Sequence, residues 1–201
     1  RVAGQLGLPN PDIGAVISHG QLAPRQFSFV KWDARPGNAL LLDDGADDGG
    51  AAWIDWEHCG ARDALDDLAW LLCDEYMPDH VGLESALLKR YLPLFALQSK
   101  RTPEDALVYL SRFGSLHTCM RLFLVLKHKG EGAWWNPQAC ERSDRIGVTA
   151  QAAHRLCARG ARWSGRWPGG ARMNKFFADA DKRLRDMSAD STARLVGPAF
   201  A

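Results

Sequence analysis

Two acids and an amide, Asp33, Asn38 and Asp55, are the residues whose types and spacing suit chemistry on a charged substrate. Asp33-Ala-Arg-Pro-Gly-Asn38 is followed by the apolar run Ala-Leu-Leu-Leu, an Asp/Gly-rich stretch at 43–50, and Ala-Trp-Ile54 leading into Asp55-Trp56-Glu57. Two apolar runs around such a stretch predict a strand, a tight reversal and a second strand. Asp33 and Asn38 precede the first strand and Asp55 ends the second. Closing the hairpin is therefore expected to bring three oxygen-bearing side chains to one end of it.

That set suits phosphoryl transfer from a nucleotide. The reaction needs a group that orients an attacking hydroxyl and accepts its proton, and hard oxygen ligands for Mg²⁺ at the phosphates. An Asp, an Asn five positions later, then a strand and a second Asp is the order of a protein-kinase-type catalytic loop. The Asp-x-x-x-x-Asn spacing is common by chance; its weight comes from the hairpin and from Asp55.

Asp33-Ala-Arg-Pro-Gly-Asn38, Ile54-Asp55-Trp56-Glu57 and Asp63-Ala-Leu-Asp-Asp67-Leu-Ala69 together resemble the aminoglycoside phosphotransferase and choline kinase family, over residues 29–72. The resemblance implies a kinase-like fold in which this chain forms the α+β, mostly helical C-terminal lobe, with a small β-hairpin at the active site. It implies Asp33 as catalytic base, Asn38 and Asp55 as Mg²⁺ ligands, and Asp67 as a brace to the loop. ATP or GTP would be the phosphate donor, and a small-molecule alcohol, aminoglycoside-like or choline-like, the acceptor. Glu57 is expected near the metal, through water, or at the acceptor, and Arg35 either at phosphate or covering the hairpin.

Three departures stand out. The family's His-Gly before the catalytic Asp is Lys31-Trp32 here, and its Gly-Asp-Pro is Arg62-Asp63-Ala64. A His-Gly does occur upstream, in His19-Gly20-Gln21, but Gln21 can neither act as a base nor carry charge to a metal. Asp33 can do both, and one hairpin bridges Asn38 to Asp55, so the Asp33 register is preferred.

The supporting chain reads in three parts: an irregular lead-in at 1–26, a lobe at 27–187, and a flexible tail at 188–201. Its 201 residues, 46% hydrophobic and 24% charged, suit a globular protein that buries a proper core. No apolar run has the length of a membrane span and no signal-peptide pattern is present, so the cytoplasm is the expected compartment. No glycine-rich phosphate loop or phosphate-gripping Lys is found upstream of Asp33. The chain is accordingly expected to need its own N-terminal lobe and to be nearly inactive without it. Five widely spaced cysteines without a Cys-x-x-Cys predict free thiols rather than disulfides or a zinc site.

Residues 26–30 alternate as a short strand should. From Asp63 the period turns helical, with Leu65, Leu68, Ala69, Leu72 and Cys73 on one face. Asp63 reads as the N-cap and Asp66 and Asp67 as first-turn acids. Asp67 thus has two readings, helix capping and the loop brace. A second helix over 83–98 is expected to break or kink at Pro93. A third is bounded by Thr102-Pro103 and by Lys127-His-Lys-Gly130. Further helices are expected over 149–159 and 174–187.

Charge is uneven although the net is +1: residues 43–79 hold twelve acids against one Arg, and residues 155–172 hold five Arg and no acid. The first predicts either an acidic cleft attracting cationic acceptors or plain solvated surface. The second, with Trp163 and Trp167, suggests single-strand nucleic-acid binding. Near-zero net charge speaks against that, and arginines snorkelling over helix-packed tryptophans are expected instead. A pseudoenzyme or binding module is the remaining alternative to catalysis.

Overall fold

The computed structural model describes residues 1–11, 13–42, 50–142 and 146–195. The architecture is α+β and mostly helical, with two small antiparallel ribbons at one side. Strand β1 (Ser28–Val30) pairs with β4 (Gly60–Arg62), and β2 (Ala39–Leu42) pairs with β3 (Gly50–Trp53). The register Ala39↔Trp53 through Leu42↔Gly50 is the expected hairpin. The Asp/Gly turn predicted between these strands lies, at 43–49, outside the described residues.

Helix α3 (Leu65–Leu72) buries Leu65, Leu68, Ala69 and Leu72 against α4 (Val81–Gln98) and the first half of α5 (Pro103–Lys129). Thr102 caps α5 through Asp105 N, and Pro103 occupies its first turn, as the sequence predicted. Pro93 does not break α4, because Leu88, Leu92 and Ala96 recur on its buried face and hold the helix to the core. The second half of α5 packs with α7 (Ala150–Ser164) and α8 (Ala171–Leu195) in another apolar cluster, around Leu122, Leu156, Phe177 and Leu184. The lead-in adds two short helices, α1 (Val2–Leu6) and α2 (Ile13–Val16), and α6 (Pro137–Arg142) interrupts the loop after α5. Helix α8 continues past 188, where a flexible tail was expected; residues 196–201 lie outside the described residues. A Cβ on Gly160 would stand 2.6 Å from the Phe177 ring, so that glycine sets the approach of α7 to α8.

The uneven charge is largely used inside the fold. The N-cap of α3 is Ala64 rather than the expected Asp63, which stands one residue earlier, accepts from Leu65 N and also takes bonds from Ser99 Oγ and Arg101. Asp79 and Glu84 receive Arg162, and Glu84 also receives Arg166. Arg159 does not snorkel: it is 1% exposed and donates to the carbonyls of Asp74, Met77 and Pro78. The loop after α3 turns inward, leaving carbonyls that need donors, and the guanidinium fork supplies them. Arg159, Arg162 and Arg166 are thus engaged with partners inside the fold, which speaks against their serving as phosphate contacts. No helix among the described residues is long and apolar enough to cross a membrane. The five cysteines are free thiols, with Cys73, Cys140 and Cys157 buried.

Asp66 carries a testable consequence. It is 4% exposed and accepts from the Tyr109 hydroxyl at 2.8 Å. Burial pushes its pKa from 3.8 to about 7, against the Tyr109 hydrogen bond. The folded state thus holds a proton that the unfolded chain releases between those values, and stability falls as pH rises through that window. Burial beside Glu75 raises Asp74 in the same direction. Asp66→Asn, which keeps the acceptor without the charge, should raise Tm at pH 8 by roughly 5 °C or more and by distinctly less at pH 5, where only the lower part of that window has been crossed. Calorimetric scans at the two pH values check this.

Candidate functional site

The loop after β1 is fastened to α3 by one carboxylate. Lys31 N donates to Asp67 Oδ2 at 2.8 Å and Trp32 N to Asp67 Oδ1 at 2.7 Å. Because α3 is buried along its length, the bonds tie the loop to the core rather than cap the helix. Burial raises the Asp67 pKa, opposed by the two backbone donors and Lys31. Asp67→Asn offers one acceptor oxygen for two N–H groups. It should cost about 1.5–3 kcal/mol, the scale of one hydrogen bond to a charged group, readable as a lower denaturation midpoint.

The fastened loop presents Asp33, and Asn38 holds it there. Asn38, 1% exposed, donates through Nδ2 to the Asp33 carbonyl at 3.0 Å and to Asp33 Oδ2 at 2.8 Å. Ile54 N donates to the Asn38 carbonyl at 2.9 Å, which places Asp55 one residue beyond the contact. Lys31 Nζ closes the ring by donating to the Asp55 carbonyl at 2.5 Å. The backbone at Asp55 therefore lies next to Asn38, and Asn38 holds Asp33, at one end of the β2–β3 ribbon. Among the described residues, three non-glycines have φ in the left-handed region, and two of them belong here: Trp32 (64°) and Asp55 (59°). Such backbone persists where its surroundings over-determine it. For Trp32 they are the Asp67 bond, the Arg62 guanidinium 3.8 Å from the ring centroid, and edge contacts with Trp70 and Phe113.

Of the other expected site residues, Arg35 lies beside Asp33, with Nε 3.5 Å from Oδ2. Glu57 is exposed and faces His58 at 3.3 Å, outside the cavity described next. In the rival register, Gln21 sits in a short 3₁₀ turn, where its Oε1 accepts from Ser18 N. It takes no place in the ring.

Asp33 lines a cavity of about 860 Å³. Trp32, Trp70 and Trp135 supply aromatic wall, Met120 and Ile146 aliphatic wall, and Arg35, Arg121, His58 and His128 the basic groups. Asp33 is the one acid among these lining residues, so the predicted acidic cleft is not what surrounds it. The nearby acids are engaged beneath the surface: Glu75 receives Arg121 through Nε at 2.6 Å and NH2 at 2.5 Å, and also Gly147 N at 3.1 Å. Burial works against the charge on Glu75, and the Arg121 bonds outweigh it and keep the pKa low. Gly147 N thereby positions the segment carrying Ile146, and Trp135 N donates to Val148 O of that segment at 2.8 Å. Sequence reasoning missed Trp70, Arg121 and Trp135; the one signal was an arginine within the α5 stripe.

The donor atoms suit Mg²⁺ in kind. With its amide nitrogen committed to Asp33, Asn38 has Oδ1 for a hard cation, and the exposed Asp55 offers a carboxylate. Among the described residues no three His, Cys, Asp or Glu side chains cluster as a metal site. Magnesium at nucleotides characteristically takes only one or two carboxylates, with phosphates and water completing its shell.

No protein-family model, curated protein or solved structure matches this chain.

Proposed function

We propose that this chain is the acceptor-binding, helical part of a nucleotide-dependent phosphotransferase acting on a hydroxyl of a small molecule. One observation carries the reading: Asp33 is held by Asn38 on a loop fastened by Asp67, and its side chain borders a large, mostly apolar cavity. A carboxylate so placed can orient a hydroxyl bound in the cavity and take its proton as the oxygen attacks phosphorus. Asn38 and Asp55 would hold Mg²⁺, which would offset the charge of the transferred phosphate. Lys31, bonded to the Asp55 carbonyl, fixes the spacing between the two acids. The β2–β3 ribbon leaves Leu40 and Leu42 exposed on one side and Leu41, 89% exposed, on the other, apolar surface that suits a covering nucleotide lobe. Release of ADP from ATP, or of GDP from GTP, by the complete polypeptide with Mg²⁺ and a panel of alcohols and sugars tests the reading. Acceptor-dependent release supports it, and none with any acceptor or donor counts against it.

The second reading, a binding module without catalysis, draws on Arg35, whose guanidinium stands beside the Asp33 carboxylate. It predicts nucleotide binding without turnover, unchanged by Asp33→Asn.

A further inference from the structure

A second cavity, of about 560 Å³, borders the fastened loop at Lys31 and shares no lining residue with the one beside Asp33. Along α4, Leu88, Leu92 and Ala96 are buried in the core. Leu87, Tyr91 and Phe95, each one position earlier, form a second apolar stripe at i, i+4 and i+8 that lines this cavity. Helix α3 contributes the buried Leu68 and Leu72. In β1 the alternation of side chains turns Val30 into the core and Phe29 outward, where it is 72% exposed. Phe29 stacks on Trp56 with ring centroids 6.0 Å apart and planes at 12°, and Trp56 Nε1 donates to the Trp53 carbonyl at 2.9 Å. These three aromatic residues are thus tied to one another, yet each keeps 37% or more of its surface open. Aromatic side chains held exposed around a concavity of this size mark a binding surface rather than scattered surface residues.

The polar groups of the wall narrow what it takes. Lys31 and Asp67 are the two charged residues in the lining, and both are engaged within the protein. Lys31 Nζ donates to the Asp55 carbonyl, and the two Asp67 oxygens accept from Lys31 N and Trp32 N. Their charges also oppose each other, since Lys31 favours the ionised form of Asp67. A ligand charge of either sign would give up water here without gaining a partner of its own. We infer that this cavity is a second ligand site, and that it takes an uncharged molecule built on a flat fused-ring system, its rings lying among Phe29, Trp53, Trp56, Tyr91 and Phe95. Through Lys31 and Asp67 the occupant touches the fastening of the loop that presents Asp33. The inference does not rest on the phosphotransferase reading.

The test is binding to the complete polypeptide without nucleotide, followed by calorimetry and saturation-transfer NMR. The probes share one ring system and differ in charge: 2-naphthalenemethanol, 2-naphthoate and 2-naphthylmethylamine. The neutral probe should bind with a Kd of about 2 mM or tighter, the scale that modest ligand efficiency gives a fragment of this size. Each charged probe should bind at least ~10-fold more weakly. Tyr91 is 37% exposed on α4 and Phe29 is exposed on β1, so Tyr91→Ala and Phe29→Ala each remove a wall ring without opening the core. Both should weaken the neutral probe several-fold. Met120→Trp, which narrows the cavity beside Asp33, should leave that binding unchanged. The inference is overturned if the neutral probe gives no saturation transfer at about 2 mM, the result expected where another part of the polypeptide or a second copy fills the cavity. It is equally overturned if a charged probe binds as tightly as the neutral one, if both alanine variants bind the neutral probe as the parent does, or if Met120→Trp weakens it as much as they do.

Discussion

Asp33→Ala and Asp33→Asn are each expected to lower turnover of the complete polypeptide at least ~10²-fold, the usual scale for losing a positioned base. The asparagine variant is the sharper one, since it keeps the size and hydrogen-bonding capacity of the side chain and removes its basicity. Asn38 retains the Asp33 carbonyl as a partner in either variant, so the loop stays in place. Asp67 and Asn38, not the Asp33 carboxylate, fasten the loop, so the Tm should move little. Steady-state ADP release beside a thermal scan separates a chemical loss from a folding one. Unchanged turnover would place the base elsewhere.

The largest effect on stability is expected from Arg121→Leu. Arg121 is 6% exposed, makes two hydrogen bonds to Glu75 and lies 3.7 Å from Asp74. Removing it leaves carboxyl groups buried without their cation, a change that costs about 3–5 kcal/mol at comparable sites. At about 2–4 °C per kcal/mol, a chain of this size should lose roughly 6–20 °C in Tm. Arg121→Lys should recover only part, because an ammonium cannot reproduce the two-pronged contact. Arg121→Leu combined with Glu75→Leu should recover more, since no unpaired charge then remains at that position. The cavity should suffer as well, for Glu75 also holds Gly147 N, and with it the segment that carries Ile146 and bonds Trp135. A loss under about 1 kcal/mol would mean that water replaces the guanidinium and that the cluster does not hold the wall.

Much of the scaffold was legible because local signals agreed with the tertiary outcome. The apolar runs on either side of the Asp/Gly stretch pair as β2 and β3, and Thr102-Pro103 begins α5. Pro93 does not end α4, because packing of Leu88, Leu92 and Ala96 outweighs one missing donor. At the site, types and spacing indicated Asp33, Asn38 and Asp55, whereas their supports were hidden. Lys31-Trp32 read as a departure from His-Gly; in the fold Lys31 reaches the Asp55 carbonyl and Trp32 adopts the left-handed backbone natural to glycine, held by its ring contacts. The acids of 43–79 read as an acidic cleft or plain solvated surface because sequence does not show that Asp63, Asp66 and Glu75 among them are buried against Arg101, Tyr109 and Arg121. The cavity walls come from α3, α5 and the segments around Trp135 and Ile146, so no single stretch carries their pattern.

The account depends on Asn38 and Asp55 sharing one divalent ion with a nucleotide beside Asp33. Mn²⁺ substituted for Mg²⁺ and titrated with ATP into the complete polypeptide, followed by electron paramagnetic resonance, measures that directly. The expected result is one nucleotide-dependent Mn²⁺ site, weakened at least ~10-fold by either Asn38→Ala or Asp55→Ala, as befits the loss of a hard oxygen ligand. Equal Mn²⁺ binding by the parent chain and both variants, or none in the presence of ATP, would contradict it.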